Sequence, residues 1–154
     1  MIEIPHFKSL DLRHIVCDYN GTIAKDGILK KEVESLFLRL SETYTIYVIT
    51  ADTFGSVIAQ VSDLPCQVTI LSSDNHSQEK SDFVQALDAK TCIAIGNGNN
   101  DAKMLERAAI GIAVIGDEGC AKDAMLGADI LSQNITQALE LPLHPKRLIA
   151  TLRR

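Results

Sequence analysis

Two hydrophobic rhythms alternate along the chain. Short apolar runs rich in β-branched residues, His14–Cys17, Tyr44–Thr50, Gln67–Leu71, Thr91–Ile95 and Ile110–Ile115, are bounded by Gly, Asn, Asp and Ser. That pattern predicts five strands, buried on both faces where the run is continuous. Between them the period changes. Leu29, Val33, Leu36, Phe37 and Leu40 recur at helical spacing, which predicts an amphipathic helix ending near Ser41. Val57, Ile58 and Val61 mark a second helix, capped by Thr53 and ended by Pro65. Phe83, Val84 and Leu87 mark a third, Met104, Leu105 and Ala108 a fourth, and Cys120–Met125 a fifth. Ile130 and Leu131 predict a sixth short strand, with helices over Ile135–Leu141 and Pro145–Leu152. Met1–Asp11 reads as an edge strand interrupted by Pro5. Thr22–Gly27 is too polar and glycine-flanked for a regular element. Strands alternating with helices predict an α/β fold: a three-layer α/β/α, Rossmann-like arrangement on a mainly parallel sheet of five to six strands, with right-handed crossovers. The length predicts a single domain over residues 1–154.

Polar residues suited to chemistry stand where these runs end. The first strand stops at Asp18, followed by Tyr19-Asn20-Gly21-Thr22; the second ends in Thr50-Ala51-Asp52; the fourth ends in Gly96-Asn97-Gly98-Asn99-Asn100-Asp101. Open α/β sheets place their ligands at the carboxyl ends of strands. Lys80 falls in the opening turn of the third helix, where the positive dipole end disfavours a cation; the placement makes sense if Lys80 faces an anion. Each residue alone has an ordinary reading: a capping aspartate, a strand-end threonine, a solvated lysine, a Gly-Asn turn. Their joint order on one rim of one sheet points to a constellation.

DYNGT at Asp18–Thr22, the threonine of VITAD at Val48–Asp52, Lys80, and GNGNND at Gly96–Asp101 occur in the order of the four motifs of the haloacid dehalogenase-like superfamily. The chain resembles that superfamily of aspartate-nucleophile phosphotransferases, and within it the small soluble relatives of the P-type ATPase phosphorylation domain. IGIAVIGDEG at Ile110–Gly119 resembles the family's fifth strand. The resemblance implies that Asp18 is the nucleophile, that Thr50 binds the transferring phosphoryl group, and that Lys80 offsets its charge. It implies phosphate contacts at Gly21, Thr22, Ala51 and Asn100. It also implies a Mg²⁺ cofactor held by Asp18, the main-chain carbonyl of Asn20, and Asn97 and Asp101 of the fourth motif.

The residue types fit that chemistry. A carboxylate can attack phosphorus and form an aspartyl-phosphate, splitting a hard transfer into two easier steps. Two anions must meet, so a hard cation held by one or two carboxylates and by the substrate phosphate suits the site. Two departures bear on turnover. Family phosphatases carry an acid where this chain has Asn20, and an acid where it has Asn97. The expected function is a slow Mg²⁺-dependent phosphohydrolase acting on a phosphorylated substrate; the alternative is a weak or inactive phosphate-binding partner protein.

The stretches from Asn20 to Thr50 and from Thr50 to Lys80 each have room for one helix–strand unit, so no cap domain is expected, and Thr22–Leu29 is the candidate flap. An open rim motivates an expected homo-oligomer. A net charge of −5 argues against nucleic acid and anionic membranes. No apolar run is long enough to cross a bilayer and no signal-peptide core is present. The 4 cysteines, without a CxxC pair, read as reduced thiols. A cytoplasmic location is expected. His6, His14, His76 and His144 show no ligand spacing.

Overall fold

The computed structural model describes residues 1–52 and 55–154; Thr53, the expected cap of the second helix, lies outside the described residues. The elements run β1 (Ile2–Ile4), β2 (Lys8–Leu10), β3 (His14–Asp18), β4 (Ala24–Lys25), β5 (Ile28–Leu29), α1 (Lys31–Leu40), β6 (Thr45–Thr50) and α2 (Ser56–Val61). They continue with β7 (Gln67–Ile70), α3 (His76–Ala86), β8 (Cys92–Gly96), α4 (Ala102–Arg107), β9 (Ile110–Val114), α5 (Lys122–Gly127), β10 (Ile130–Ser132), α6 (Ile135–Glu140) and α7 (Pro145–Leu152). Six strands form one sheet in the order β10-β9-β8-β3-β6-β7, and every neighbouring pair is parallel. The chain leaves β3 for β6 on one side and returns to β8 on the other, so the strand order reverses between β3 and β8, where such sheets open a crevice.

Period-two alternation sorts the side chains into two cores. Ile15, Cys17, Ile46, Val48, Ile93, Ile95, Ile110 and Ile112 face one side, with Val33, Phe37 and Leu40 of α1, Ile135 and Leu139 of α6, and Leu148 of α7. Val16, Ile49, Ala94 and Ala113 face the other, against Val84 of α3, Met104 and Leu105 of α4, and Ala124 of α5. The second face is built from smaller residues, so α4 lies close to the sheet. A Cβ on Gly111 of β9 would meet the Leu105 carbonyl oxygen at 2.2 Å. This close approach holds the segment entering α4, and Asp101 with it, against the strand ends. By the same alternation Asp18 shares the face of Val16 and so looks toward α3.

Several expectations are corrected. Met1–Asp11 is no sheet edge: β1 and β2 form a separate antiparallel hairpin with Pro5 and His6 in its turn. The α7 helix packs on β1 while Leu148 joins the core on the first face of the sheet, and the Arg154 amide donates to the Pro5 carbonyl at 3.1 Å. Thr22–Gly27 is not irregular throughout, since β4 and β5 pair as a small antiparallel hairpin. Asp26 and Gly27 take φ of 52° and 80° at its tip, as a tight hairpin turn requires. Leu29 therefore belongs to β5, and α1 starts at Lys31. This hairpin is tied down on both flanks. Tyr19 donates its hydroxyl to the Gly27 carbonyl at 2.9 Å, the Asp26 amide donates to Glu118, and the Leu29 amide to Gln60. Lys30 pairs with Asp117 at 2.6 Å. Ile58 of α2 faces solvent, 49% exposed, while Val57 and Val61 are buried. The start of α2 is held from Asp52, whose carboxylate accepts from the Val57 amide at 3.0 Å and the Ser56 hydroxyl at 2.6 Å.

Candidate active site

The carboxyl ends of β3, β6 and β8 meet at the crevice between β3 and β8. Asp18 closes β3, Thr50 closes β6, and the loop after β8 runs through Gly98 into the short turn Asn99–Asp101 and then α4. Because α3 follows β7, it begins at this same edge and points its fifth residue, Lys80, inward. Asp18, Lys80 and Asp101 are the charged residues that are buried among those described. The Lys80 ammonium donates to Asp18 Oδ1 at 3.0 Å, to Asp101 Oδ1 at 2.8 Å and to Asn100 Oδ1 at 3.0 Å. All three of its donors are thereby used, which is the condition for a buried ammonium. Asp101 Oδ2 accepts from the main-chain amides of Asn97 at 3.0 Å and Gly98 at 2.9 Å. Both Asp101 oxygens are thus engaged, and the loop is folded around its carboxylate. A Cβ on Gly96 would meet that carboxylate carbon at 2.5 Å.

On the other side of Asp18, the Thr22 hydroxyl lies 3.3 Å from Asp18 Oδ2 and 3.1 Å from Asn97 Oδ1. Asn97 is held at every polar group: its amide nitrogen donates to the Gly119 carbonyl at 3.1 Å, and its main-chain carbonyl accepts from Ala121 at 2.8 Å. Its side chain fills the space that a Cβ on Gly21 would need, 2.4 Å from that atom. Gly21 also takes a φ of 78°, so glycine is required there on two counts. Thr50 is buried, and its hydroxyl oxygen accepts from the Asp52 amide at 3.1 Å.

Asp18, Asn20, Thr50, Ala51, Lys80, Asn97 and Asn100 line one cleft of about 270 Å³. Gly21, Thr22 and Asp101 stand behind that lining. Asn20 is exposed at its edge. Leu71, Gly98 and His76 complete the wall. His76 was missed in the sequence, although it stands one helical turn before Lys80 and so shares its face. A larger groove of about 560 Å³ between α3 and α4 is lined by Gln78, Ser81, Lys103, Glu106 and Arg107. It holds no strand end, and its cations are bonded to neighbouring side chains, Lys103 to Gln78 and Arg107 to Ser81. The residues at the strand ends line the smaller cleft.

Burial, reinforced by the charge of Asp101, pushes the Asp18 carboxyl up to about 7 against the opposing pull of Lys80. Burial also works against the Lys80 ammonium, but the Asp18 and Asp101 carboxylates outweigh it and Lys80 sits above its ordinary value. A native carboxyl that holds its proton above the usual carboxylate range adds stability at low pH and loses it as pH rises. Without a divalent cation, the protein should therefore lose melting temperature between about pH 4 and pH 7, at up to roughly 2–4 °C per pH unit. Asp18→Asn should flatten that slope in thermal unfolding scans. An unchanged slope would mean that Asp18 is already ionised in this window. Glu79, held low first by the Ser73 and then by the Ser72 main-chain amide, acts in the opposite sense at the acid end of that window, losing stability as pH falls.

Among the described residues no cluster of three His, Cys, Asp or Glu is gathered to hold a metal. The oxygen set is nevertheless suited to a hard cation. Asp18 Oδ2 and Asn97 Oδ1, from different strand ends, converge on the single Thr22 hydroxyl. Mg²⁺ is commonly bound by one or two carboxylates and keeps several waters.

Comparisons with known proteins agree with this picture. Residues 82–118 match the family model described as haloacid dehalogenase-like hydrolase. Over 64 residues the chain is 52% identical to an uncharacterized protein of Methanocaldococcus jannaschii, a stretch covering 42% of this chain and 69% of that protein. A 3-deoxy-D-manno-octulosonate 8-phosphate phosphatase from Moraxella catarrhalis, solved with magnesium, phosphate and the sugar acid, superposes with a TM-score of 0.72 at 17% identity, over 93% of this chain and 94% of that one. The cobalt-bound phosphatase of the same type from Haemophilus influenzae gives 0.72 at 10% identity, over 94% of each chain. At such identities these likenesses speak for the fold. Taken with the matched family model and the ordered motifs now gathered around one cleft, they place the chain in the haloacid dehalogenase-like superfamily of hydrolases.

Proposed function

We propose that the protein is a Mg²⁺-dependent phosphohydrolase that transfers a phosphoryl group to Asp18 and then, slowly, to water. The observation that carries this reading is the buried Lys80 bridging Asp18 and Asp101 at the β3–β8 crevice. A buried ion triad is poor value as a stabilising device; beside a cleft it is a preorganised charge system for a phosphoryl group. Asp18 Oδ1 is fixed by Lys80, while among the described residues Oδ2 has the longer contact to Thr22. One carboxylate oxygen attacks phosphorus as the bond to the leaving oxygen breaks. That oxygen keeps the electron pair and takes its proton from solvent. Water then attacks the aspartyl-phosphate, restoring the carboxylate and releasing inorganic phosphate and a proton.

Asp18, the Asn97 side-chain oxygen and the Asn20 main-chain carbonyl would hold the cation, with Asp101 ordering the loop through its engaged oxygens. When bound, Mg²⁺ offsets the negative charge of the nucleophile and of the transferred group. Thr50 and the exposed loop amides contact the phosphoryl oxygens. Asn20 cannot give or regain a proton, and this favours a second reading, a domain that binds phosphate without turning it over.

A panel of phosphate esters assayed with and without Mg²⁺ separates the two. Metal-dependent phosphate release that disappears in Asp18→Ala is expected, at rates low for a phosphatase. Silence on every ester, together with no calorimetric binding of Mg²⁺ even in the presence of beryllium fluoride, would leave only the binding reading.

A further inference from the structure

We infer that Asn97 is held as an amide so that the catalytic cleft is assembled before any cation arrives, and that Mg²⁺ enters together with the phosphoryl group rather than ahead of it. This rests on the phosphotransfer reading of the cleft and specifies how the cleft is loaded.

The grip on Asn97 is selective for an amide. Its nitrogen donates to the Gly119 carbonyl, a group that can only accept. That carbonyl is itself set by a tight turn, in which the Gly119 amide returns to the Gly116 carbonyl at 3.0 Å and Gly119 takes a φ of 81°. Two residues on, Ala121 clasps the Asn97 main-chain carbonyl. With the nitrogen committed to Gly119, Oδ1 has one direction left, toward Thr22 and Asp18. A carboxylate at this position would place an oxygen against the Gly119 carbonyl oxygen and forfeit that hydrogen bond.

Charge gives the second half. With both carboxylates ionised, Asp18, Asp101 and Lys80 sum to one negative charge, and Lys80 is the buried cation among the described residues. With the neutral Asn97 beside them, that triad is satisfied internally and needs no metal to fold. It offers an arriving cation a single carboxylate with an uncommitted oxygen, because both Asp101 oxygens are taken. A phosphoryl group brings further negative charge to the same place, so cation and phosphoryl group each make the other's binding favourable.

Thermal unfolding of wild type, Asn97→Asp and Asn97→Ala tests this, in chelator, in Mg²⁺ alone, and in Mg²⁺ with beryllium fluoride, an acyl-phosphate mimic. For wild type, Mg²⁺ alone should move the midpoint by no more than about 1 °C, and the pair by roughly 5–10 °C. Asn97→Asp in chelator should melt about 4–8 °C below wild type and below Asn97→Ala, which loses the hydrogen bond but adds no charge. Mg²⁺ alone should then recover most of that loss. If Asn97→Asp folds only when Mg²⁺ is supplied, the same conclusion follows. The inference is overturned if Asn97→Asp in chelator melts at or above Asn97→Ala, or if Mg²⁺ alone stabilises wild type as much as the pair does. If Asn97→Asp fails to fold under every condition, titration calorimetry of wild type decides, and tight Mg²⁺ binding without the mimic overturns it. A wild type that ignores Mg²⁺ and beryllium fluoride together would instead remove the phosphotransfer reading, leaving the comparison of the two variants in chelator to judge the amide lock.

Discussion

Lys80→Met is expected to abolish phosphoryl transfer and to destabilise the protein more than any other single change in the cleft. The Lys80 side chain is 3% exposed and its ammonium bridges two carboxylates at 3.0 and 2.8 Å. Methionine keeps most of the stem volume, so the cavity contribution is small and the loss is electrostatic. Removing one partner of a buried ion pair leaves an uncompensated charge and costs about 3–5 kcal/mol, roughly 6–20 °C of melting temperature for a chain of this size. The same deletion removes the charge that offsets the transferring group, so a loss of at least about 10³-fold in turnover is expected. The pH dependence identifies the cause. Burial and Asp101 already raise Asp18 to about 7, and without Lys80 the carboxyl rises further. The penalty should therefore be largest above pH 7 and shrink toward pH 5, where Asp18 takes a proton and the unpaired charge is relieved. Thermal scans at the two pH values, paired with beryllium fluoride binding, provide the check. A variant that binds the mimic as wild type does would remove Lys80 from the phosphoryl site.

Much of this cleft was legible in the sequence because its parts obey local rules. Strands buried on both faces read as continuous apolar runs, and the residue that ends each run must lie at the carboxyl edge of a parallel sheet. Asp18, Thr50 and the Gly96–Asp101 loop were therefore assigned to one rim by periodicity alone. What escaped were features decided by short elements or by distant contacts. The β4–β5 hairpin has two residues per strand, too few to show a period. Its one local sign is the hairpin dipeptide Asp26-Gly27, which a polar, glycine-flanked stretch masks. Leu29 is apolar and in phase with α1, so its spacing predicts helix, whereas it packs from β5. Lys80 could be placed near an anion, but its burial could not be read, because α3 buries Lys80 and Ser81 along with Val84 and has no clean apolar stripe. Asn97 and Gly119 are 22 residues apart in the chain. No composition or spacing rule links an asparagine to a carbonyl oxygen, so the amide lock is visible only once the β8 and β9 loops are side by side.

The same contrast between the two amides predicts opposite outcomes for the two acid substitutions. Asn20→Asp is expected to speed hydrolysis of the aspartyl-phosphate, since it supplies an acid to the leaving oxygen and then a base to water. General acid–base catalysis contributes about 10²–10⁴-fold. The gain should approach the upper part of that range only if the new carboxyl titrates near neutrality. Its position favours this: Asn20 lines the cleft yet is exposed, so water screens the repulsion from Asp18 while the nearby charge still raises the pKa above that of a free aspartate. Among the described residues no side-chain hydrogen bond to Asn20 stands to be lost, in contrast to Asn97 with its donor on Gly119. Asn20→Asp should therefore leave the melting temperature in chelator within about 2 °C of wild type, the opposite of Asn97→Asp. Asn-Gly sequences deamidate, and Asn20 precedes Gly21, so mass mapping of fresh and aged protein has to accompany the rate measurement. Single-turnover decay of phosphorylated protein is the direct readout. Decay no faster in Asn20→Asp than in wild type, on a substrate that labels Asp18 in both, would show that the absent acid does not limit turnover.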